Sequence, residues 1–206
     1  LVIAEAGLFK VAFEKLEMDG NLYFVPKYAE HRPAVQKALN GEYYEPLTHE
    51  FVSKLCCLNK GSIVHAGTFF GDMIPNFSKS VNGTVYAFEP VLENYIMAKL
   101  CVDNNCLDNV FLLNAAVGAT ITNLRIDTNE DGGRHAGGSS KIAKNGSICP
   151  AITLDSLWLE DLILIQLDVE GHELEALRGA KDSIQRCRPL IAIEDNNKSC
   201  SDFLAA

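Results

Sequence analysis

From Ser62 onward, short apolar runs alternate with stretches of helical period, and that alternation confines the chain to an α/β architecture. The runs are Ile63-Val64 and residues 84–88, 110–116, 162–167 and 190–193, each the length of a strand buried on both faces. Between them lie Met73, Ile74, Phe77 and Val81; Leu92, Tyr95, Ile96 and Leu100; and Leu174, Leu177, Ala180 and Ile184, all at helical spacing. The order predicts a mostly parallel sheet with right-handed crossovers and flanking helices. Residues 121–157 break the alternation and read as two or three short strands around a polar, Gly-rich loop at 129–140. A loop of that length inside a domain is more often functional than accidental.

Ahead of this region, Phe9, Val11 and Phe13 alternate before Asp19-Gly20, and Leu22 and Phe24 follow it, which predicts a tight hairpin within residues 8–28. Residues 31–40 read as a helix with Pro33 in its first turn and Gly41 past its end. Residues 48–59 read as a second helix, burying Phe51, Leu55 and Cys56. The expected division is a hairpin and helical cap over 1–60 and an α/β domain over 61–206.

Composition narrows the partners. Against 27 Asp and Glu stand 18 Lys and Arg, a net charge of −9, with no basic block to meet phosphates, so neither nucleic acid nor an anionic membrane is expected. No apolar run reaches the roughly 18 residues of a membrane span. Glu160 and Asp161 interrupt the longest candidate, and nothing at the start reads as a signal peptide. The seven cysteines are odd in number and lack a CxxC pair, as expected of free thiols in a reducing cytoplasm. The chain opens at Leu1 without Met, as a processed form or a fragment would.

Ligands of an open parallel sheet bind beyond the carboxyl ends of its strands, so the chemistry is sought there. The first run ends in His65-Ala66-Gly67-Thr68-Phe69-Phe70-Gly71-Asp72. Gly67 and Gly71 suit a tight strand-to-helix turn that offers bare backbone N–H groups to a ligand, although the spacing is not GxGxxG and a turn without a ligand would look the same. The second ends in Glu89-Pro90, where a carboxylate 22 residues after Gly67 is placed to accept ribose hydroxyls, or simply to favour a helix start. The third ends in Asn114-Ala115-Ala116, an amide beside room for a flat ring. The fourth ends in Asp168-Val169-Glu170-Gly171-His172-Glu173, the densest ionisable cluster in the chain. Asp168 and Glu170 share one side-chain direction if the strand persists, and a helix starts near His172.

The turn HAGTFFGD, the strand end AFEP with Tyr95 after it, NAAVG, and Thr153-Leu154-Asp155-Ser156-Leu157 leading to LDVEGHELEALRGA and Arg188-Pro189-Leu190-Ile191 resemble the FkbM-type methyltransferases over residues 60–200. The resemblance implies a class I methyltransferase (Rossmann-like) sheet, with S-adenosylmethionine as cofactor and O-methylation of a hydroxyl on a sugar or small metabolite as the activity. Gly67, Thr68, Phe69, Gly71 and Asp72 would then hold the methionine moiety, Glu89 with Pro90 the ribose, and Asn114 with Ala115 the adenine side. Transfer needs an acceptor oxygen about 3 Å from the methyl and a base for its proton, with Asp168, Glu170 and His172 the catalytic candidates and His135 of the long loop a further base.

Two departures from the family pattern stand out. His65 replaces a common Asp, exchanging a carboxylate for an imidazole at the amino-acid end of the cofactor. The sheet lacks the last two strands, so either a second copy covers the edge at 190–193 or the protein is longer. Asp168 with Asp195 and Asn196 offers oxygen atoms that would suit Mg²⁺, but acidic strand tips also occur without metal and none is assigned. A non-catalytic cofactor-binding protein and a nucleotide-dependent oxidoreductase on the same fold are the alternatives.

Overall fold

Asp19 and Gly20 both take positive φ (49° and 72°), the backbone of a two-residue hairpin turn matched to strand twist. They join β1 (Phe13–Met18) and β2 (Asn21–Pro26) into the antiparallel hairpin that the Asp-Gly pair predicts. The computed structural model describes residues 10–130, 132–194 and 198–205, so Phe9, Asp195 and Asn196 of the readings above lie outside the described residues. Helices α1 (Pro33–Leu39) and α2 (Pro46–Leu58) each place a proline in the first turn, where its missing N–H costs no helical bond. In α2 the buried side chains are Val52 and Cys56, with Leu55 half-buried, whereas Phe51 is 42% exposed. The expectation that Phe51 is buried fails because Val52 and Cys56, one turn apart, set the inward stripe and Phe51 lies about 100° around the helix from it.

The α/β region follows as β3 (Ser62–Ala66), α3 (Ile74–Ser80), β4 (Val85–Phe88), α4 (Leu92–Asn104) and β5 (Val110–Leu113). It then departs into β6 (Ala116–Val117), β7 (Thr122–Asp127), β8 (Lys141–Ile142) and β9 (Ser147–Ile152), and returns as β10 (Leu162–Leu167), α5 (Glu173–Arg178), α6 (Lys181–Cys187), β11 (Leu190–Ile193) and α7 (Ser199–Ala205). Five parallel strands form the central sheet in the order β11-β10-β3-β4-β5. The smaller sheet, β6-β9-β7-β8, is mixed and carries the long loop between β7 and β8.

Three expected details differ. The run 110–116 is not one strand: Asn114 donates to the carbonyls of Glu89 (2.8 Å) and Pro90 (3.2 Å), and the chain passes there from the central sheet to the smaller one. On α4 the buried side chains are Asn94, Met97, Ala98, Cys101 and Val102, while Leu92 is exposed. That helix is gripped from two sides, Ala98 and Val102 joining the sheet cluster and Met97, Cys101, Ile96 and Leu100 the hairpin cluster, so apolar spacing marks no single face. The pattern at 174–184 is two helices, because Asp155 reaches across to accept from the N–H groups of Asp182 (3.0 Å) and Ser183 (2.7 Å) and starts α6 afresh.

Buried Leu154, Leu167, Leu177, Ala180 and Cys200 fill one face of the sheet, and Ile63, Phe77, Val85 and Leu164 the other. Cys56, Cys57, Cys101, Cys106, Cys149 and Cys187 are free thiols, and Cys56, Cys101, Cys149 and Cys200 are buried. No helix among the described residues is long and apolar enough to cross a membrane.

Candidate active site

The chain enters the central sheet at β3, runs outward through β4 and β5, and returns on the other side of β3 as β10 and β11. Strand order therefore reverses between β3 and β10, the point at which an open α/β sheet leaves a crevice beyond its carboxyl ends. Gly67 and Asp168 are the residues that follow these two strands; Gly67 lines two cavities there, and Asp168 lines both of these and a third.

The first cavity, about 470 Å³, has apolar walls from Phe88, Val91, Val117, Ile126 and Ile142, with Glu89, Asp168 and His172 as polar points. The second, about 560 Å³, is polar and is lined by Arg32, Tyr44, His65, Asp72, Gln166 and Asp168. The third is wider and lies between α2 and the tips of β10 and β11, with Phe51, Val52 and Ile193 beside Glu45 and Glu194. Asp168 and Glu170 line all three.

The glycine turn works differently from its sequence reading. Its amides are not bare: those of Gly67 (3.0 Å) and Thr68 (3.2 Å) both donate to the Phe88 carbonyl, that of Gly71 to Thr68, and that of Phe69 to Oε2 of Glu89 (2.8 Å). Thr68 is buried, its hydroxyl on the His65 carbonyl, and a Cβ on Gly71 would stand 3.0 Å from Cα of Ala98 on α4. Thr68, Gly71 and Asn114 thus lie outside the three cavities and shape their walls, whereas Gly67, Phe69, Asp72, Glu89, Pro90 and Ala115 line them.

Glu89 is buried at the base of the apolar cavity. Its Oε1 accepts from the Val91 N–H (2.9 Å) and from Nδ2 of Asn94 (3.3 Å), yet burial outweighs these bonds and pushes the carboxyl up to about 8. Asn94 also donates to the Gly137 carbonyl (3.2 Å) and accepts from the Tyr28 hydroxyl (2.8 Å), tying turn, loop and hairpin together. An amide on the buried face of a helix, five residues after Glu89, is the sequence signal that apolar spacing passes over.

Strand β10 ends at Leu167 and does not persist through Glu170, whose φ of 54° turns the chain. Asp168 and Glu170 therefore meet at the cavities through a turn and not through strand alternation. Burial, then Glu170, Glu45 and Glu194, raise the Asp168 carboxyl to about 6, and burial with Glu45 and Asp168 raises Asp72 to about 7. His172 precedes α5, lines the apolar cavity alone of the three, and is held below its ordinary value by burial. His135 lies outside the three cavities, its ring tilted against that of Tyr28 with centroids 4.5 Å apart. Glu45, Phe69 and Glu170 are non-glycine residues at positive φ that line the site, the clustering of backbone strain that functional sites carry.

Residues 137–140 of the long loop line the first two cavities. Gly137 and Gly138 press it against Phe69, where a Cβ would stand 3.0 Å and 3.2 Å from the ring. Glu130 pairs with His31 and with Arg32 (3.8 Å), and Arg32 donates to Ser139. Lys141 faces Glu170 at 3.9 Å on the far rim. No cluster of metal-ligating side chains occurs among the described residues.

The model of the Methyltransferase FkbM domain family matches residues 65–204. No curated protein matches the chain. Among solved structures, methyltransferase FkbM from Methylobacillus flagellatus KT is 19% identical with a TM-score of 0.49, over 65% of this chain and 32% of that one. The chain thus spans about a third of that relative's length. Precorrin-6y C5,15-methyltransferase from Geobacter metallireducens GS-15 is 13% identical (TM-score 0.47; 77% of this chain, 69% of that one). A SAM dependent methyltransferase from Aquifex aeolicus is 21% identical (TM-score 0.41; 73% and 68%).

Proposed function

The chain belongs to the FkbM methyltransferase domain family, and from that premise we propose that it transfers a methyl group from S-adenosylmethionine to a hydroxyl oxygen of a sugar or other small metabolite. One observation carries this reading: Asp168 and Glu170 line all three cavities, so a single pair of carboxylates borders a cofactor cleft of two compartments and a separate approach for an acceptor.

The residues present fit the cofactor. An apolar slot with Glu89 at its base suits a nucleoside, whose ribose hydroxyls would hydrogen-bond the Glu89 carboxyl, and the walls at Ala115 and Val117 leave width for a flat ring. The polar cavity suits the charged amino-acid end, facing Asp72 and Asp168. Asn114 holds the Glu89–Pro90 backbone in place in this reading and does not read the adenine edge. When bound, the cofactor supplies an electrophilic methyl on a sulfonium.

Asp168 would take the proton of the acceptor hydroxyl. Its carboxyl, raised to about 6, is mostly ionised at neutral pH yet basic enough to accept a proton in the transition state. Glu170 would orient the acceptor, and His172, on the nucleoside side, would pack beside the cofactor. The acceptor would enter through the third cavity, between α2 and β11. The described residues of the segment before β3 serve as a cap in this reading, since the hairpin packs on α4 and Arg32 grips the loop. A second copy is proposed to cover β11, which has one neighbour among the described strands.

Titration calorimetry with S-adenosylhomocysteine, NAD serving as control, tests the cofactor. Transfer of labelled methyl to a panel of hydroxyl compounds tests the reaction. Binding of S-adenosylhomocysteine alone, with methyl recovered on oxygen, is the expected result; binding without transfer to any hydroxyl would favour a non-catalytic cofactor binder.

A further inference from the structure

His65 is 2% exposed, yet it lines the polar cavity. Its Nδ1 meets Oε1 of Gln166, its register neighbour across the β3–β10 pair. A carbonyl oxygen only accepts, so Nδ1 carries the proton and Nε2 keeps a lone pair. That Nε2 is buried and has no partner. The ring is fixed edge-on to Phe77, with centroids 5.1 Å apart, so its free nitrogen has a set direction. Burial lowers the imidazole to about 4, and it stays neutral, hence an acceptor, throughout the physiological range.

A buried acceptor without a donor is unfavourable in isolation, and a ligand N–H relieves it. The same cavity is lined by Asp72 and Asp168, so three acceptor-bearing side chains border the space where the cofactor reading above puts a group with three N–H donors. We propose that His65 Nε2 accepts a hydrogen bond from the α-ammonium group of the cofactor's amino-acid end, supplying direction while Asp72 and Asp168 supply charge. This inference rests on that cofactor reading. A neutral acceptor at position 65 also avoids a further buried negative charge beside two carboxyls that are already hard to ionise.

The test uses two ligands that differ in the amino-acid end: S-adenosylhomocysteine, which carries it, and 5′-methylthioadenosine, which lacks it. In ¹⁵N-histidine-labelled protein, the His65 Nε2 resonance is expected to move with the first ligand and stay in place with the second. His65→Phe, which keeps a ring against Phe77, is expected to weaken S-adenosylhomocysteine about tenfold and leave 5′-methylthioadenosine within about twofold. If both ligands bind but move the resonance equally or not at all, or if the variant weakens both alike, the His65 assignment is overturned and the cofactor reading stands. If neither ligand binds, the cofactor reading falls and this one with it. Should His65→Phe fail to fold, the labelled wild-type protein still decides.

Discussion

Gly67 passes so close to Asp168 that a Cβ added to it would stand 1.8 Å from the Asp168 carbonyl oxygen, and its φ of 89° disfavours any side chain in any case. The two strand tips, Gly67 bordering the first two cavities and Asp168 all three, are thus locked backbone to backbone, the Asp168 N–H donating to the Ala66 carbonyl at 3.0 Å. Gly67→Val should therefore lose cofactor binding together with stability, by roughly 3 kcal/mol or more, because β3 and β10 must part. Denaturant titration beside ligand titration checks this. Loss of binding at unchanged stability would instead mean that the valine obstructs the ligand directly.

Asn94 joins Glu89, Gly137 and Tyr28 through one buried amide. Asn94→Ala should cost about 2 kcal/mol or more, since buried partners are left without bonds. The effect should reach the loop, with faster amide hydrogen exchange at residues 137–140. A variant whose loop exchanges as slowly as wild type would show that the loop is held by its glycine contacts and the Arg32 clamp alone.

If Asp168 is the base, Asp168→Asn should lower kcat by about 10²- to 10⁴-fold, a larger factor than the loss of S-adenosylhomocysteine affinity expected from removing one of the two carboxylates that face its ammonium group. His172→Gln should leave kcat nearly intact, because His172 lines the nucleoside compartment and not the acceptor approach. Steady-state kinetics with the acceptor found by the transfer assay separates the two, and the reverse ranking would move the base to His172.

Glu89 titrates at about 8 in the folded protein against 4.5 ordinarily. Between those values the folded state holds a proton that the unfolded state has released, so stability falls as pH rises through this window and levels off above it. Asp72 and Asp168, also raised, act in the same sense at lower pH. The unfolding midpoint should decline from pH about 5 to about 8, and Glu89→Gln should flatten the upper part of the decline. A midpoint that rises over this range would reverse the assignment.

Cofactor binding should oppose that trend. A cationic ligand group beside Asp72 and Asp168 favours their ionised forms, so S-adenosylhomocysteine affinity should increase as pH rises through about 6 and about 7, with protons released on binding. Calorimetry in two buffers of different ionisation enthalpy measures the release. Uptake of protons would place the ammonium elsewhere.

Periodicity and turn chemistry are local properties, and what depends on them was legible in the sequence. The Asp19-Gly20 hairpin, the five runs that became the central sheet, the glycine turn after β3 and the carboxylate cluster after β10 all follow from spacing and residue type. The family resemblance at residues 60–200 rests on the same local motifs, and the family match at 65–204 agrees with it. Legibility ended where a side chain serves a distant partner. Asp155, in a quoted motif, caps a helix 27 residues on. Asn114, read as facing a ligand, braces the neighbouring strand tip. Asn94 went unnoticed because a buried amide breaks the apolar pattern used to find the buried face of a helix.

The sequence by itself determined the order and type of the elements and the residues that would stand at the strand ends, because hydrophobic period and turn propensity act over a few residues. Only the tertiary structure decided which of those residues face a cavity. That depends on which strands become neighbours, how deeply each carboxyl is buried, and which amides the turn consumes internally, and all three are set by contacts between segments 20 to 100 residues apart, such as Phe69 with Glu89 and His65 with Gln166.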